Sequence, residues 1–381
     1  MMVGPLKGRT IIEIGHMLAG PYCGMLLSDL GARVIKIESP EGDIGRNIGP
    51  HDVAGHNTYF ASLNRGKQSV TLDLASDAGR AGLAKLVAQA DGLVTNLRPA
   101  AIKKLGLTYD SLKGINPTLA CLALTGYGLE GPYADSPAYD YVIQAMTGVM
   151  LLTGDPDGPP VKPGYSAVDN SAGVMGALGL VAKMLEGRGG QVDVSMYDTM
   201  MSQLNYLGSS YLNSGDKSAR IKDGAHPYIV PAQLFPTSDG YVVLFITHDK
   251  FWKLFAESLN EAEWLTDPRF AKMAGRSANR DLVIPAISAR MQEKTAEEWV
   301  EQLAPLGLVV ASIQSFPEAL DGPLTASRDM VIEIPVGDEK LRLIGNAIKI
   351  SGEVPSYRAP PMLGEHNAAL LGDDGQGGAD E

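Results

Sequence analysis

Short apolar runs alternate with helical patterns along the first half of the chain. "QVDVSM" predicts one strand, and the runs "TIIEIG", "ARVIKIE", "DGLVTNL" and "TLACLALTG" are rich in apolar and β-branched residues. Such runs predict strands that are buried on both faces, because a strand with one wet face would alternate polar and apolar residues. Between them, "GPYCGMLLSDLG", "SDAGRAGLAKLVAQA", "PAAIKKLGL" and "NSAGVMGALGLVAKMLEG" have apolar residues at helical spacing. The alternation predicts an α/β fold with a Rossmann-like parallel sheet covered by helices.

The pattern changes after about residue 215. "LFPTSDGYVVLFI" predicts a hairpin with its turn at Ser238-Asp239-Gly240, and charged helical segments such as "DKFWKLFAESLN" follow it. "VIEIP" and "LRLIGNAIKI" return to strand character, and the polar, Gly-rich "GDDGQGGADE" predicts a disordered tail. A length of 381 residues also exceeds what one hydrophobic core usually supports. We therefore predict a large domain over residues 1–215, a smaller α+β domain over 225–320, a return to the large domain over 325–370, and a tail over 372–381.

Composition narrows the class of protein. The formal net charge of -12 argues against a nucleic-acid partner, because phosphate backbones attract basic surfaces. The two cysteines, Cys23 and Cys121, fit a reducing compartment without disulfides. No HExxH or CxxC spacing occurs, so no metal site is expected. No apolar run approaches the roughly 18 residues that span a bilayer, and "MMVGPLKGRTIIEIG" has no signal-peptide pattern, so we expect a cytoplasmic enzyme without a membrane partner.

Two common catalytic motifs can be weighed on the sequence. "GYGLEG", residues 126–131, matches GxGxxG after a predicted strand, but a dinucleotide site also needs a helix that begins at that loop. Pro132 and Pro137 follow instead, so the segment predicts a turn. The GxSxG pattern does not occur in the sequence, which argues against the nucleophile elbow of a serine hydrolase.

Several cations follow or end the predicted strands. Ligands of open parallel sheets bind beyond the carboxyl ends of the strands, so these cations suggest a site for a polyanion such as a phosphorylated cofactor. Ordinary surface charge explains them equally well, and the sequence leaves both interpretations open. The seven cations are Lys36, Arg46, Arg65, Lys67, Arg98, Lys103 and Lys104.

The stretch "KPGYSAVDNSAGVMGALG", residues 162–179, holds one acid, Asp169, at the start of a predicted helix. Aspartate is a preferred N-cap, so position alone favours a capping role. A reactive role is compatible with capping, because the positive end of a helix favours an ionised carboxylate. An ionised carboxylate can in turn attack an activated acyl group.

Many segments in a fixed order carry a resemblance to one family. They begin with "AGPYCGMLLSDLGARVIKIESPEGDIGR" and continue through "NRGKQSVTLDL", "TNLRPAAIKKLGL", "TGYGLEGPYADSPAYDYVIQAMTG" and "GPPVKPGYSAVDNSAG". "DPRFAKMAGRSANRD", "EEWVEQLAPLGLVVASIQSFPEAL" and "MLGEHN" complete them, so residues 8 to about 370 are covered. The chain resembles the class III CoA-transferases, the family of formyl-CoA transferase and carnitine CoA-transferase. The resemblance implies a large α/β domain built from both ends of the chain, a small domain between them, and an interlocked homodimer.

The resemblance also implies which residues act. The aspartate of "YSAVDNSAG", Asp169, would be the nucleophile, and CoA would be a substrate, with no tightly bound cofactor. The loop matching "HMLAGP" and the segments matching "RGKQS" and "NLRP" would hold the phosphates and adenine of CoA. The residues implied to bind CoA are His16, Met17, Ala19, Arg46, Lys67, Asn96, Leu97, Arg98, Lys104, Tyr139 and Asp140.

The chain departs from the family pattern at two places. Lys104 stands where arginine is usual, which keeps the charge but loses bidentate phosphate geometry. Met17 and Leu18 stand where formyl-CoA transferase has a glutamine after the matching histidine, and this departure counts against formyl-CoA or oxalate as substrates.

The same family includes α-methylacyl-CoA racemases, which need two bases on opposite faces of an acidic C–H. The resemblance places the racemase histidine at Tyr139, and a neutral tyrosine is a poor base near pH 7 because its reference pKa is about 10. The usual histidine-aspartate pair becomes Tyr139-Asp140. We therefore expect a CoA-transferase that uses aspartyl anhydride and aspartyl-CoA thioester intermediates, with a racemase-like enzyme as the alternative. The acyl-CoA donor and the acceptor acid stay unidentified.

Overall fold

The computed structural model describes residues 4–372 of the chain. Its central element is a six-stranded sheet in which every neighbouring pair of strands is parallel. The strands are β1 Thr10–Ile14, β2 Arg33–Glu38, β3 Gln68–Thr71, β4 Gly92–Thr95, β5 Ala120–Thr125 and β6 Gly190–Ser195. Their order across the sheet is β3-β2-β1-β4-β5-β6, the order of Rossmann folds, so the predicted fold class is confirmed. Ligands of such sheets bind beyond the carboxyl ends of the strands, where the order reverses between β1 and β4.

The helices follow the predicted alternation through most of the chain. Those of the first half are α1 Ala19–Asp29, α2 Thr58–Asn64, α3 Asp77–Val87, α4 Pro99–Lys104, α5 Tyr109–Leu112, α6 Asp140–Met146 and α7 Ala167–Glu186. The second half contributes α8 Met196–Gln203, α9 Asn205–Ser214, α10 Asp249–Ser258, α11 Met273–Ala278, α12 Arg280–Met291, α13 Ala296–Leu303, α14 Phe316–Asp321, α15 Pro323–Ser327 and α16 Asn367–Leu371. Ser76 caps α3 by accepting the backbone N–H of Gly79 at 3.0 Å, as its position predicts.

The edge strand β3 is not predicted by the apolar pattern, because Gln68 and Ser69 make it more polar than the inner strands. Residues near the end of the described chain cover its open edge. The backbone N–H of Ser69 donates to Nδ1 of His366 at 3.2 Å, and that of Thr71 donates to Oδ1 of Asn367 at 2.9 Å. An uncovered edge would offer its backbone groups to another chain, so the "MLGEHN" segment protects this side of the sheet.

The chain divides into two compact units. Within the described residues, the first consists of 4–147, 164–205 and 323–372 and holds the parallel sheet. The second consists of Gly148–Pro163 and Tyr206–Gly322. The sequence analysis placed residues 148–163 and 206–215 in the large domain, and the structure assigns both to the second unit. The predicted tail, apart from Gly372, lies outside the described residues.

The second unit is built on an antiparallel sheet. Its strands are β7 Ala232–Pro236, β8 Tyr241–Phe245 and β9 Val309–Ser312, in the order β9-β8-β7. The predicted hairpin at 238–240 is confirmed, because Tyr241 pairs with Pro236. Buried aromatic side chains from α10 and α13, including Trp252, Phe255 and Trp299, form its core.

Two more strands, β10 Val331–Val336 and β11 Glu339–Ile344, form an antiparallel hairpin in the first unit. They correspond to the predicted strands "VIEIP" and "LRLIGNAIKI", but the second strand ends at Ile344, and residues 345–350 are not strand. The pattern of "YDTMMSQLNYLGSSYLNSG", residues 197–215, predicts one helix, and the structure divides this segment between two helices, α8 and α9. Within residues 4–372, no helix combines the length and the hydropathy that crossing a membrane requires.

Candidate active site

A cavity of about 370 Å³ lies in the first unit. Its walls come from residues that directly follow β1, β4 and β5 and from the starts of α7 and α8, as expected for a site beyond the carboxyl ends of the strands. Of the residues that the resemblance implies, nine line it: His16, Met17, Ala19, Asn96, Leu97, Arg98, Tyr139, Asp140 and Asp169. The cavity therefore collects side chains from distant parts of the sequence into one site.

Asp169 occupies the first turn of α7, but it does not cap the helix. The N-cap residue is Ser166, and its side chain makes no capping hydrogen bond. Among the described residues, no hydrogen bond to the carboxylate of Asp169 is found, although the group lines the cavity. The capping role that position favoured is therefore wrong, because Asp169 lies inside the helix, three residues after the N-cap.

Asp140, from the neighbouring helix α6, performs the capping function for α7. Its Oδ1 accepts the backbone N–H of Val168 at 2.8 Å, and its Oδ2 accepts a hydrogen bond from Gln144 at 2.6 Å. The side chain is buried, and both of its carboxylate oxygens accept a hydrogen bond from a protein donor. Asp140 thus fixes the turn that presents Asp169, and its charge is placed close to that of Asp169.

Burial and the nearby charge of Asp140 raise the pKa of Asp169 from 3.8 to about 7. Desolvation is the larger cause, because it disfavours the charged carboxylate. The sequence analysis expected the helix start to favour the ionised form of Asp169, and burial opposes that effect by raising the pKa. A carboxyl group with a pKa near the working pH, in a cavity, is a common property of catalytic acids and nucleophiles.

Tyr59 also lines the cavity, and sequence analysis did not single it out. Burial raises the pKa of its hydroxyl to about 12, with the charges of Asp169 and Asp43 adding to the effect. Tyr59 therefore stays a neutral hydrogen-bond donor beside Asp169 at ordinary pH. No sequence motif marked it, because α2 was not predicted and its side chain reaches the site only through the fold.

The loop between β1 and α1 is held by Asn96. Oδ1 of Asn96 accepts the backbone N–H of His16 at 3.0 Å, and its Nδ2 donates to the backbone carbonyl of His16 at 2.9 Å. The amide of Asn96 thus binds the backbone of His16. For the predicted contact with CoA, it retains the second N–H of Nδ2 and the second lone pair of Oδ1. Burial lowers the pKa of His16, with Lys36 and Arg98 adding to the effect and Asp43 opposing it, so this imidazole is neutral near pH 7.

Gly15 leaves the space that the Asn96 amide occupies. A Cβ added at Gly15 would lie 2.3 Å from Oδ1 of Asn96. Gly15→Ala should therefore displace the amide from His16 and lower the free energy of unfolding by about 1–3 kcal/mol, measured by urea unfolding. Gly114→Ala is the matched control, because an added Cβ there meets nothing within 4 Å. Equal stability of the two variants would contradict this role for Asn96.

Most of the predicted cation cluster is already neutralised inside the protein. Lys36 and Lys67 are buried and flank Glu13 at 2.9 Å and 2.7 Å. Arg46 pairs with Glu38 at 2.7 Å, and Arg65 pairs with Asp29 at 2.6 Å. These four cations do not line the cavity. These ion pairs favour a structural role for the four cations, and the contacts of Arg46 and Lys67 with CoA stay predictions.

The remaining cations are exposed. Lys103 and Lys104 lie in the last turn of α4 and do not line the cavity, so the contact of Lys104 with CoA stays a prediction. Arg98 precedes α4 and does line the cavity, together with Leu97. Among the described residues of the cavity wall, Arg98 is the one with a permanent positive charge.

The segment "GYGLEG" forms a turn, as Pro132 and Pro137 predict. The next helix, α6, begins only at Asp140, so no helix N-terminus stands at that loop. Tyr139 directly precedes α6, and its side chain is 63% exposed at the cavity. The cavity wall thus contains the half-buried carboxyl group of Asp169 and the exposed side chain of Tyr139.

The chain is similar over nearly its whole length to several known proteins. The profile of CoA-transferase family III matches residues 6–367. The acetyl-CoA:oxalate CoA-transferase of Acetobacter aceti is 36% identical over 96% of this chain and 95% of that protein. The succinate–glutarate CoA-transferase of Agrobacterium fabrum is 33% identical over 96% of this chain and 95% of that protein. A crystal structure of a CAIB/BAIF family protein from Brucella suis has a TM-score of 0.84 at 35% identity, over 97% of this chain and 99% of that chain.

Proposed function

The chain belongs to CoA-transferase family III, and we propose that it moves CoA from an acyl-CoA to a free carboxylic acid with Asp169 as the covalent nucleophile. The observation that carries the proposal is the state of the Asp169 carboxylate. It is half-buried in the cavity wall, no hydrogen bond to it is found among the described residues, and burial raises its pKa to about 7. A carboxylate in this state has lost the donors and counter-ions that would otherwise quench its attack on an acyl group.

The proposed reaction exchanges acyl bonds in balanced steps. The Asp169 carboxylate attacks the thioester carbonyl of the donor, which forms a mixed anhydride and releases CoA thiolate. The thiolate attacks the aspartyl carbonyl, which forms an aspartyl-CoA thioester and releases the donor acid as carboxylate. The acceptor carboxylate then attacks the carbonyl of this thioester, which forms a second anhydride and releases the CoA thiolate again. The thiolate attacks the acceptor acyl carbonyl of the second anhydride and releases the Asp169 carboxylate. The products are the new acyl-CoA and free Asp169, so no oxidant, metal or resident cofactor is consumed.

Different parts of the cavity wall suit different parts of CoA. Arg98 at the carboxyl end of β4 supplies a cation for a phosphate, and Leu97 offers an apolar contact beside it. His16, Met17 and Ala19 form the wall that follows β1. We propose that the nucleotide end binds on the Arg98 side and that the thioester reaches Asp169, because binding energy from the remote nucleotide can hold the released thiolate in place.

The racemase alternative is not supported by the residue at the predicted place of the racemase histidine. Tyr139 stands at the predicted place of the racemase histidine, and its side chain is exposed rather than held by a buried partner. A racemase would exchange the α-hydrogen of a 2-methylacyl-CoA with solvent deuterium when no acid is present. We expect no such exchange, measured by mass spectrometry, and α-deuterium uptake without an acceptor acid would favour the racemase.

The acids are proposed from the relatives and the cavity. The two similar enzymes described above carry oxalate, succinate and glutarate in their names, all of them short dicarboxylates. The cavity of about 370 Å³ is suited to a short acyl group, and Arg98 offers a charge for a second carboxylate or a phosphate. We propose that this protein also transfers CoA between short carboxylic acids of which at least one is a dicarboxylate.

An exchange matrix tests this function. Acetyl-CoA or succinyl-CoA is incubated with the enzyme and one acid from a panel of mono- and dicarboxylates, and new acyl-CoA thioesters are measured by mass spectrometry. We expect new thioesters to form fastest with short dicarboxylates. Exchange confined to monocarboxylates would reject the proposed acids, and hydrolysis without exchange for every pair would reject the transferase reaction.

We also propose that the chain self-associates into the interlocked homodimer implied by the resemblance. Helix α7 exposes Val174, Leu178 and Leu185, with Leu185 81% exposed, which is unusual for apolar side chains on one helix. Light scattering after size-exclusion chromatography should give the mass of two chains at micromolar concentration. A single-chain mass that persists on concentration would contradict the proposal.

A further inference from the structure

In the loop between β1 and α1, side chains from elsewhere in the fold hydrogen-bond to the backbone of three successive residues, Gly15, His16 and Met17. Nζ of Lys36 donates to the carbonyl of Gly15 at 2.9 Å. The Asn96 amide binds both backbone groups of His16, as described above. Oδ1 of Asp43 then accepts the backbone N–H of Met17 at 3.1 Å. The loop carries His16, Met17 and Ala19 into the cavity wall, so its backbone geometry determines the shape of that wall.

Met17 adopts a left-handed backbone conformation. Its φ is +64°, a value that side chains with a Cβ rarely adopt. Such a residue persists only where its surroundings hold it in place, and strained residues of this kind concentrate at functional sites. The hydrogen bond from Met17 to Asp43 is the side-chain contact that holds its N–H.

Asp43 is itself held rigidly. Its Oδ2 lies 2.8 Å from Nζ of Lys36, which also pairs with Glu13. Its Oδ1 accepts the N–H of Gly45 at 2.8 Å in addition to that of Met17. A Cβ added at Gly45 would lie 3.4 Å from the ring of Tyr59, so the same turn supports a second residue of the cavity. Asp43 does not line the cavity, but it anchors two parts of the wall.

We infer that Asp43 is a positioning residue for the transfer reaction, which acts by locking Met17 in its left-handed conformation and so fixing the wall that faces Asp169. The inference rests on the proposed function for the identity of the reaction. It assigns no chemical step to Asp43. The carboxylate sets where His16 and Met17 stand relative to the reacting thioester, and small displacements of such groups slow an oriented reaction far more than they weaken binding.

Asp43→Ala should lower kcat for CoA transfer by about 10- to 100-fold and change KM for the acyl-CoA by less than about twofold. Asp29→Ala is the matched control, because Asp29 is also a buried acid paired with a cation, Arg65, and does not line the cavity. We expect Asp29→Ala to lower the melting temperature while kcat stays within about twofold. Equal kcat for the two folded variants, or a rise in KM that accounts for the loss, would overturn the inference.

A rescue experiment separates positioning from a purely structural role. Met17→Ala and Met17→Gly both remove the methionine side chain, but only glycine adopts a φ of +64° without strain. Each is combined with Asp43→Ala. We expect the combination with Met17→Gly to have at least about fivefold higher kcat than the combination with Met17→Ala, and the two Met17 variants to be similar when Asp43 is present. No difference between the combinations would overturn the inference.

Failure of Asp43→Ala to fold would not leave the question open, because the combination with Met17→Gly carries less strain and is tested by itself against Met17→Gly. Near-equal kcat for the double variant and for Met17→Gly alone, with unequal stability, supports the inference that Asp43 acts by holding the backbone of residue 17. A kcat loss as large as that of a nucleophile variant would assign Asp43 another role and overturn the inference. Failure of the proposed function is recognised separately, by transfer that persists in Asp169→Asn.

Discussion

Asp169→Asn should lower the rate of CoA transfer by more than about 10³-fold, because an amide cannot form the acyl anhydride. The substitution keeps the size of the side chain and removes no hydrogen bond found among the described residues, so the fold should be unchanged. The measurement is the rate of new thioester formation from a pair of substrates that the wild-type enzyme exchanges. Asp157→Asn, at an exposed acid in the second unit, is the control and should retain full activity. Transfer within about tenfold of wild type in Asp169→Asn would reject the nucleophile assignment.

The same substitution should stabilise the protein at alkaline pH. The folded-state pKa of Asp169 is raised, so folding binds its proton more tightly, and this stabilising contribution is lost as pH rises through about 7. A rise from 3.8 to about 7 corresponds to at most about 4 kcal/mol of lost stability above pH 7. Urea unfolding at pH 8 and pH 5 should therefore show a larger advantage of Asp169→Asn over wild type at pH 8. An advantage that does not depend on pH would contradict the raised pKa.

Asp140→Asn should shift the pH dependence of transfer toward acid. In the wild-type enzyme, kcat/KM should rise with pH through about 7 as Asp169 loses its proton. Removing the negative charge of Asp140 removes the smaller of the two causes of the raised pKa, so the midpoint should fall and the variant should keep relatively more of its activity below pH 6. The remaining amide oxygen can still accept the N–H of Val168.

The neighbouring Gln144 makes this substitution tolerable. Its Oε1 has no hydrogen-bond partner among the described residues, so a flip of the Gln144 amide would let it accept from the new Asn side chain. Asp193→Asn is the control, because Asp193 also accepts a loop N–H, that of Leu129 at 2.9 Å, and does not line the cavity. A midpoint that stays in place in Asp140→Asn, or moves equally in Asp193→Asn, would contradict electrostatic coupling between Asp140 and Asp169.

The parts of the fold that sequence predicts are those that hydrophobic periodicity controls directly. Four inner strands stand as predicted because inner strands of a parallel sheet must be apolar on both faces, and the edge strand β6 also stands where "QVDVSM" predicts a strand. The edge strand β3 is not predicted by this rule. On its outer side no strand among the described residues pairs with it, and the side chains of His366 and Asn367 accept its backbone N–H groups instead. Hydrophobic periodicity also does not predict that residues 148–163 belong to the second unit, because the unit to which a loop belongs depends on its tertiary contacts.

The site shows the same division. The resemblance identifies Asp169 and part of the cavity wall, but a linear sequence pattern does not show which side chains pair with one another. Glu13 lies inside the apolar strand β1 and pairs with both Lys36 and Lys67, two of the cations of the expected phosphate site. Asp140 rather than Asp169 holds the start of α7, because caps depend on which carboxylate the fold places at the helix N-terminus. The raised pKa of Asp169 follows from burial, which no sequence position reveals.

The covalent role of Asp169 is the central claim, and trapping the intermediate tests it most directly. The enzyme is mixed with an acyl-CoA that it uses and with hydroxylamine, digested, and measured by peptide mass spectrometry. The account predicts an aspartyl hydroxamate at Asp169 that requires acyl-CoA, because hydroxylamine attacks the aspartyl thioester or anhydride and releases CoA or the acid. A peptide that contains unmodified Asp169 in an enzyme that still turns over in the presence of hydroxylamine, or a hydroxamate at another acid, would contradict it.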